Sequence, residues 1–122
     1  ATEQETDAIP SSIDAADLVQ RAEQELPGAL VDGPFALDIA VSPEAARIKG
    51  VHSEVAGRAD VLLVPNIETG NALFKQMVYF MSAAAAGIVL GAKVPITLTS
   101  RADPPAARLA SAALAAIYAG AE

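Results

Sequence analysis

The chain has 122 residues, a formal net charge of −7 and 52% hydrophobic residues, only 4% being aromatic, which is typical of one domain with an aliphatic core. The acidic balance disfavours general binding to nucleic acid. Cysteine is absent and histidine occurs once, which excludes disulfides and a cysteine nucleophile and disfavours a transition-metal site.

The first predicted element is an amphipathic helix that begins near Ser11 and ends at Pro27. Hydroxyl residues favour a helix start, proline favours its end, and apolar residues recur between them with a period near 3.6. Its many acidic side chains fit a solvated helix face better than a partner-binding tail. The sequence then predicts a short strand over 29–31 and a weaker strand or loop over 35–41.

The centre of the chain carries a clearer helix signal. Ser42 suits the N-cap position and Pro43 suits the first helical position, so we expect a short helix that runs through Lys49. Residues 51–60 have the composition of a loop. The apolar run 61–64 then predicts a buried strand, because it is short, continuous and followed at once by proline.

The next helix is predicted to begin at Thr69 and to end in an alanine-rich run that Gly87 closes. Two apolar segments, 88–90 and 94–98, are rich in β-branched residues and are predicted to be strands. Strands that alternate with amphipathic helices are typical of an α/β layered domain with a largely parallel sheet.

The most suggestive polar segment is Thr99-Ser100-Arg101, which joins the last predicted strand to a helix that ends at Gly120. Ligands of α/β sheets bind at the carboxyl ends of strands, and a guanidinium group suits phosphate or carboxylate. An anion site and a plain surface ion pair of Arg101 with a nearby acid fit the pattern about equally. Asp103 fits the cap of the last helix better than a catalytic base.

A second polar segment follows the strand over 61–64 and contains Asn71, with Lys75 one turn later. Asn71 is suited to a ligand hydrogen bond, although turn chemistry and a surface lysine explain this pattern more simply. No serine has a histidine in a recognisable motif, which disfavours a Ser-His-Asp hydrolase.

Three stretches together carry a family resemblance: GALVDGPFALDIAVSPEAARIKG, SEVAGRADVLLVPNIETGNALFKQ and AAAAGIVLGAKVPITLTSRAD. In this order they resemble the C-terminal part of the phosphate acetyl/butyryltransferase family, from about Ser12 onward. The resemblance implies the C-terminal part of an isocitrate/isopropylmalate dehydrogenase-like fold, three-layered with a largely parallel sheet. Since such enzymes are more than twice this length, it also implies that residues 1–122 form the second domain plus a strand and helix that return to the first, with the N-terminal half absent.

The reaction implied by the resemblance is acyl-CoA plus phosphate giving acyl phosphate plus CoA, with an acetyl or butyryl group. CoA is then a substrate, and no cofactor or metal is expected. The resemblance further implies a cytoplasmic homodimer without a nucleic-acid or membrane partner.

The family's Ser-Arg pair matches Ser100 and Arg101, which makes these the predicted catalytic residues. Thr99, Asn71 and Lys75 are the predicted substrate-binding residues. Acetyl-type members carry an aspartate further into the last helix as a candidate base for the thiol. The corresponding position here is near Ala107, so that base is not carried over, and Asn66 stands where the family commonly has an acid.

Two functional hypotheses remain open from the sequence. The retained Ser100-Arg101 pair favours an acyltransferase for the parent protein. The missing base and the short chain favour, for this polypeptide alone, a non-catalytic module that dimerises or binds acyl-CoA.

Overall fold

The computed structural model describes residues 2–120, which contain five helices joined by irregular segments. The helices are α1 (Pro10–Glu25), α2 (Leu37–Val41), α3 (Pro43–Ile48), α4 (Ile67–Phe80) and α5 (Pro105–Ala119). The chain divides into two compact units, an N-terminal unit Ala1–Pro65 and a C-terminal unit Asn66–Glu122. No helix within the described range is long and apolar enough to cross a bilayer.

The predicted first helix and the predicted helix after Ser42 are confirmed as α1 and α3. The Ser42 hydroxyl oxygen caps α3 by accepting a hydrogen bond from the Ala45 N–H at 3.2 Å. In α1 the serine has a different role from the predicted start signal. Ser12 is 1% exposed, and its Oγ accepts from the Thr6 N–H at 2.9 Å and donates to the Ile9 carbonyl at 2.7 Å.

The weaker strand or loop predicted over 35–41 is wrong, because residues 37–41 form helix α2. Ile39 and Ala40 are adjacent and both buried, whereas a strand would direct neighbouring side chains to opposite faces. On a helix, adjacent side chains lie about 100° apart around the axis, so both can face the same core. α2 packs against α3 in the same unit.

The loop predicted over 51–60 is confirmed, and Gly57 fixes its position. Carbonyl groups at a helix end need partners outside the helix. Here the Ile39 carbonyl accepts from the Gly57 N–H at 2.7 Å, and the Ala40 carbonyl accepts from the Ala59 N–H at 3.1 Å. A Cβ on Gly57 would lie 2.5 Å from the Pro43 Cα, so this close approach requires glycine.

The ion pairs of the N-terminal unit lie on its surface. The Arg21 guanidinium donates two hydrogen bonds of 3.0 Å to the Glu25 carboxylate one turn later on α1. Lys49 Nζ lies 3.1 Å from an Asp38 carboxylate oxygen and 3.2 Å from a Glu3 carboxylate oxygen. The hydrogen bond from Lys49 lowers the pKa of the Asp38 carboxyl below its ordinary value.

The predicted strands over 29–31, 61–64, 88–90 and 94–98 are not confirmed. Within residues 2–120 the only strand-type pairing is one antiparallel bridge between Val89 and Ile96, whose N···O distances are 2.8 and 3.4 Å. The predicted largely parallel sheet is thus not formed by this part of the chain alone. A parallel ladder needs a second strand beside each of these segments, and the described residues do not provide one.

Many apolar side chains of these segments and of the neighbouring helices are exposed. Val61, Leu63 and Leu98 have exposed fractions of 84%, 79% and 77%. Helix α4, which is described throughout, buries none of its 14 residues. Exposed apolar surface is unfavourable by about 25 cal/mol per Å² relative to burial, so these side chains add little to the stability of residues 2–120.

The contact of Gly57 with Pro43 gives a stability prediction. We expect Gly57→Ala to lower the free energy of unfolding by about 2–5 kcal/mol, because overpacking adds to the strain of a positive φ. Gly50→Ala is the matched control: Gly50 also has a positive φ, of 67°, but a Cβ there meets no atom within 4 Å. Denaturant unfolding followed by circular dichroism measures both losses, and equal losses would contradict the proposed clash.

The Lys49–Asp38 pair gives a pH prediction. Because the folded-state pKa of Asp38 is lowered, its stabilising contribution is present above the unfolded-state pKa and is lost as pH falls through the folded-state pKa. We expect Lys49→Met to raise the pKa of Asp38 towards its ordinary value, measured by NMR titration. The pKa of Glu25, which pairs with Arg21 instead, serves as the internal control and is expected to stay unchanged.

Candidate functional site

Ser100 and Arg101 lie in a tight turn at residues 100–103. The Asp103 N–H donates to the Ser100 carbonyl at 3.1 Å, which closes the turn. The Asp103 Oδ2 accepts a second hydrogen bond from the Ser100 N–H at 2.8 Å. Two bonds between the same pair of residues therefore hold the turn, and Arg101 lies at its exposed corner.

The predicted role of Asp103 as the cap of the last helix is wrong. The N-cap position of α5 belongs to Pro104, and no side chain caps this helix. A capping side chain accepts from the second or third N–H of its helix, whereas Asp103 lies one residue before the N-cap position. Its carboxylate turns back to the Ser100 N–H instead.

The surface ion pair considered for Arg101 is also absent from the part of the chain that the structure describes. No carboxylate oxygen of residues 2–120 lies within 4.0 Å of its guanidinium nitrogens. The side chain is exposed. Of the two interpretations that the sequence left open, the anion site stays a prediction, and the ion pair is not formed within residues 2–120.

Arg108 also contacts this turn, although no role for it was predicted from the sequence. Its Nε and Nη2 donate to the Asp103 carbonyl at 3.3 and 3.1 Å. Arg108 belongs to the N-terminal part of α5, where a positive charge opposes the helix dipole. A basic residue in this unfavourable position is the signal that could have identified Arg108 as a partner of the turn.

The chain as a whole is acidic, but the described part of its C-terminal unit contains more basic than acidic residues. Residues 66–120 contain two acidic residues and four basic ones, namely Lys75, Lys93, Arg101 and Arg108. All five ion pairs of the described residues lie between positions 3 and 49. The basic side chains of this unit are therefore not neutralised by ion pairs within residues 2–120, and an anionic ligand would meet uncompensated positive charge there.

Asn71 and Lys75 lie one turn apart on α4. Lys75 Nζ is 5.4 Å from the centre of the Phe74 ring and 5.6 Å from that of Tyr79, distances typical of cation–π contact. A shallow groove of about 420 Å³ lies beside it, lined by Ala72, Lys75, Gln76, Tyr79 and Phe80. The groove exposes apolar surface next to a cation.

The structure does not join all predicted site residues into one cluster. Thr99 is half-buried and directly precedes the turn. No hydrogen bond or ion pair of the described residues connects Asn71 or Lys75 with Ser100 or Arg101. The candidate site therefore has two parts, the turn and the α4 groove, and their polar side chains share no hydrogen bond or ion pair within residues 2–120. No group of three or more acidic or histidine side chains within residues 2–120 is arranged to hold a metal ion.

Asn66 positions the start of α4. The helix begins at Ile67, slightly before the predicted Thr69, and ends at Phe80, before the predicted alanine run. The Asn66 Oδ1 accepts from the Thr69 N–H at 2.8 Å and from the Thr69 Oγ1 at 2.6 Å. Asn66 thus acts here as an N-cap.

Comparison with protein families and with characterised relatives gives a consistent picture. The family model described as Phosphate acetyl/butaryl transferase matches residues 2–116. A phosphate acetyltransferase of Rhizobium meliloti is 53% identical over 120 residues, which are 98% of this chain and 38% of that protein. A phosphate butyryltransferase of Clostridium acetobutylicum is 50% identical over 113 residues, which are 92% of this chain and 38% of that protein.

Among solved structures, a branched-chain phosphotransacylase from Enterococcus faecalis V583 matches with a TM-score of 0.84 and 36% sequence identity. The match covers 95% of this chain and 42% of that one. The chain therefore has the fold of the corresponding part of a phosphotransacylase. It spans well under half the length of the relatives that it matches.

The cap of α4 gives a prediction for this site. We expect Asn66→Ala to lower the free energy of unfolding by about 0.5–2 kcal/mol and to speed amide exchange in the first turn of α4, because the Thr69 N–H loses its acceptor. Asn66→Asp, which keeps an acceptor, is the control and should stay close to the unchanged protein. Hydrogen exchange measures both, and unchanged protection in Asn66→Ala would contradict the cap.

Proposed function

The chain belongs to the Phosphate acetyl/butaryl transferase family, and on that premise we propose that it forms part of a phosphate acyltransferase. The proposed reaction moves an acetyl or butyryl group between CoA and inorganic phosphate, so that acyl-CoA plus phosphate gives acyl phosphate plus CoA. Both substrates carry phosphate groups, which fits the uncompensated basic side chains of the C-terminal unit.

The observation that carries the proposal is Arg101 at the exposed corner of a doubly closed turn. Its guanidinium has no ion pair within residues 2–120 and is available to a ligand. Guanidinium groups hold phosphate oxygens by parallel hydrogen bonds. We assign Arg101 to the phosphoryl oxygens, where it offsets negative charge that develops in the transition state.

In the direction of acyl-CoA synthesis, the thiol sulfur of CoA attacks the carbonyl carbon of the acyl phosphate. The C–S bond forms as the thiol loses its proton, the bond from this carbon to the phosphate oxygen breaks, and inorganic phosphate leaves with the bonding electrons and takes up that proton. Ser100 is assigned a hydrogen bond to the reacting group, since within residues 2–120 its Oγ takes part only in a long contact of 3.4 Å with the Ala102 N–H. In this proposal the acyl group passes directly from phosphate to the CoA sulfur, without a covalent enzyme intermediate.

The remaining predicted residues are assigned to substrate binding. Thr99 directly precedes the turn, and Asn71 and Lys75 lie on α4. Lys75 offers positive charge beside the apolar groove, a combination suited to a ligand that has both phosphate groups and apolar parts. CoA is such a ligand, and it acts here as a substrate; no cofactor is proposed.

We further propose that the sheet is completed by the rest of the full protein. In that arrangement the chain is the C-terminal part of an isocitrate/isopropylmalate dehydrogenase-like fold, three-layered with a largely parallel sheet. Residues 1–122 supply the second domain and the strand and helix that return to the first. The exposure of Val61, Leu63 and Leu98 and the 42% coverage of the Enterococcus chain support this. A homodimer in the cytoplasm is part of the same proposal.

A second candidate function is a non-catalytic module that dimerises or binds acyl-CoA. It is favoured by the exposed apolar side chains and by Ala107, which stands at the helix position where acetyl-type members were expected to carry a base. The two candidates differ in whether the turn at 100–103 takes part in a reaction.

The experiment is a thiol-release assay with acetyl-, propionyl- or butyryl-CoA and phosphate, run on the full natural chain that contains residues 1–122. We expect Arg101→Ala to lower kcat/KM by about 100- to 1000-fold, as for loss of other preorganised contacts to a transition state. Arg47→Ala removes an exposed arginine of the N-terminal unit, whose charge is paired with Glu44, and is the control, expected within twofold of the unchanged enzyme.

Full activity of a folded Arg101→Ala enzyme would refute the role of Arg101. If the unchanged full chain binds CoA by calorimetry but releases no thiol with any of the three acyl-CoA substrates, the non-catalytic module is the correct function. Residues 1–122 alone are expected to be inactive under either outcome.

A further inference from the structure

We propose that Asp103 and Arg108 are positioning residues that hold the turn at 100–103 in one conformation and thereby aim Arg101 at an anionic substrate. This inference rests on the function proposed above for Arg101. It gives both residues a part in the reaction although neither has to touch the substrate.

Asp103 uses its side chain and both of its backbone polar groups for this purpose. Its N–H and its Oδ2 each bond to Ser100, at 3.1 and 2.8 Å, so that one residue closes the turn from both sides. Many tight turns lack the backbone hydrogen bond between their first and fourth residues, so a turn with two bonds is more firmly held than most. The additional bond to an ionised acceptor is of the stronger kind and restricts the residue before Arg101.

The third polar group, the Asp103 carbonyl, ties the turn to helix α5. Arg108 donates to it from two nitrogens, Nε and Nη2, at 3.3 and 3.1 Å. The planar guanidinium group is rigid, so two donors on one oxygen fix the turn relative to the helix in distance and direction.

Helix α5 is itself fixed within the C-terminal unit. Ser111 is 2% exposed, and its Oγ donates to the Ala107 carbonyl at 2.8 Å and accepts from the Gly87 N–H at 3.1 Å. A continuous set of hydrogen bonds therefore connects the segment at Gly87, helix α5 and the turn. Arg101 belongs to the turn that these hydrogen bonds hold in place. No ion pair with the described residues restrains its side chain.

Accurate positioning has a large effect on rate. A displacement of about 1 Å at a reacting group lowers a rate by about 100-fold. The charge of Arg108 gains no stabilisation from the helix dipole, because it opposes that dipole at the start of α5. Its bonds to the Asp103 carbonyl supply a tertiary reason for a guanidinium at this position.

The proposed role of Asp103, as a hydrogen-bond acceptor in the turn, can be distinguished by experiment from a role as a catalytic base. A base needs an ionisable carboxylate, whereas the turn needs only an oxygen that accepts the Ser100 N–H. Asp103→Asn separates the two, since the carboxamide oxygen accepts a hydrogen bond but does not take up a proton at neutral pH.

The experiment compares Asp103→Ala, Asp103→Asn and Arg108→Ala in the full natural chain, with Asp60→Ala as a control at an exposed aspartate of the N-terminal unit. Asp103→Ala is expected to lower kcat by about 10- to 100-fold and to speed amide exchange at Ser100. We expect Asp103→Asn to retain activity within about threefold and Arg108→Ala to lie between the two.

Several results would overturn the inference. One is equal damage by Asp103→Asn and Asp103→Ala, which would assign a base; another is unchanged kcat and unchanged Ser100 exchange in Asp103→Ala. If Asp103→Ala does not fold, Arg108→Ala decides, because it leaves both bonds between Ser100 and Asp103 in place. An inactive Arg101→Ala enzyme with a fully active Asp103→Ala enzyme refutes only this inference, whereas an active Arg101→Ala enzyme refutes the proposed function.

Discussion

Strand-like segments need a neighbouring strand as their hydrogen-bonding partner. The rest of this structure depends on that constraint. The apolar segments at 61–64 and 94–98 have the composition of buried strands, yet residues 2–120 offer them no ladder. Backbone N–H and C=O groups are buried only when they are paired, so these segments stay exposed with their side chains. The helices form without such help because their backbone bonds are internal.

The candidate site likewise depends partly on bonds between nearby residues and partly on elements that lie farther away in the chain. The turn at 100–103 is complete within the chain, because each of its bonds joins residues at most five positions apart. The predicted sheet edge that would have presented this turn is not formed by the described residues. The position of Arg101 within this turn is therefore set by local bonds, whereas the sheet predicted before the turn needs strand partners that residues 2–120 do not provide. The family match over residues 2–116, in relatives of which the chain covers 38%, agrees with this division.

Helix predictions succeeded where the signal was local and failed where packing decided. Ser42 with Pro43 fixed the start of α3 through bonds within one turn. The segment 37–41 was predicted incorrectly, because its five residues are too short for a periodic pattern and its helix is stabilised by burial of Ile39. Asp103 was misread as a cap because aspartate before proline has the same pattern whether its carboxylate points forward to the helix or back to the preceding turn.

The sequence by itself determined the family, the bounds of α1, α3 and α5 to within two residues and the start of α4 to the same accuracy, because these depend on residue order and short-range chemistry. Only the tertiary structure decided that Arg101 has no ion pair within residues 2–120, that Asp103 closes a turn, and that Arg108 supports it. Those outcomes depend on which of several nearby partners a polar group reaches. The spacing of residues in the sequence limits the possible partners, and the three-dimensional arrangement decides which partner is bound.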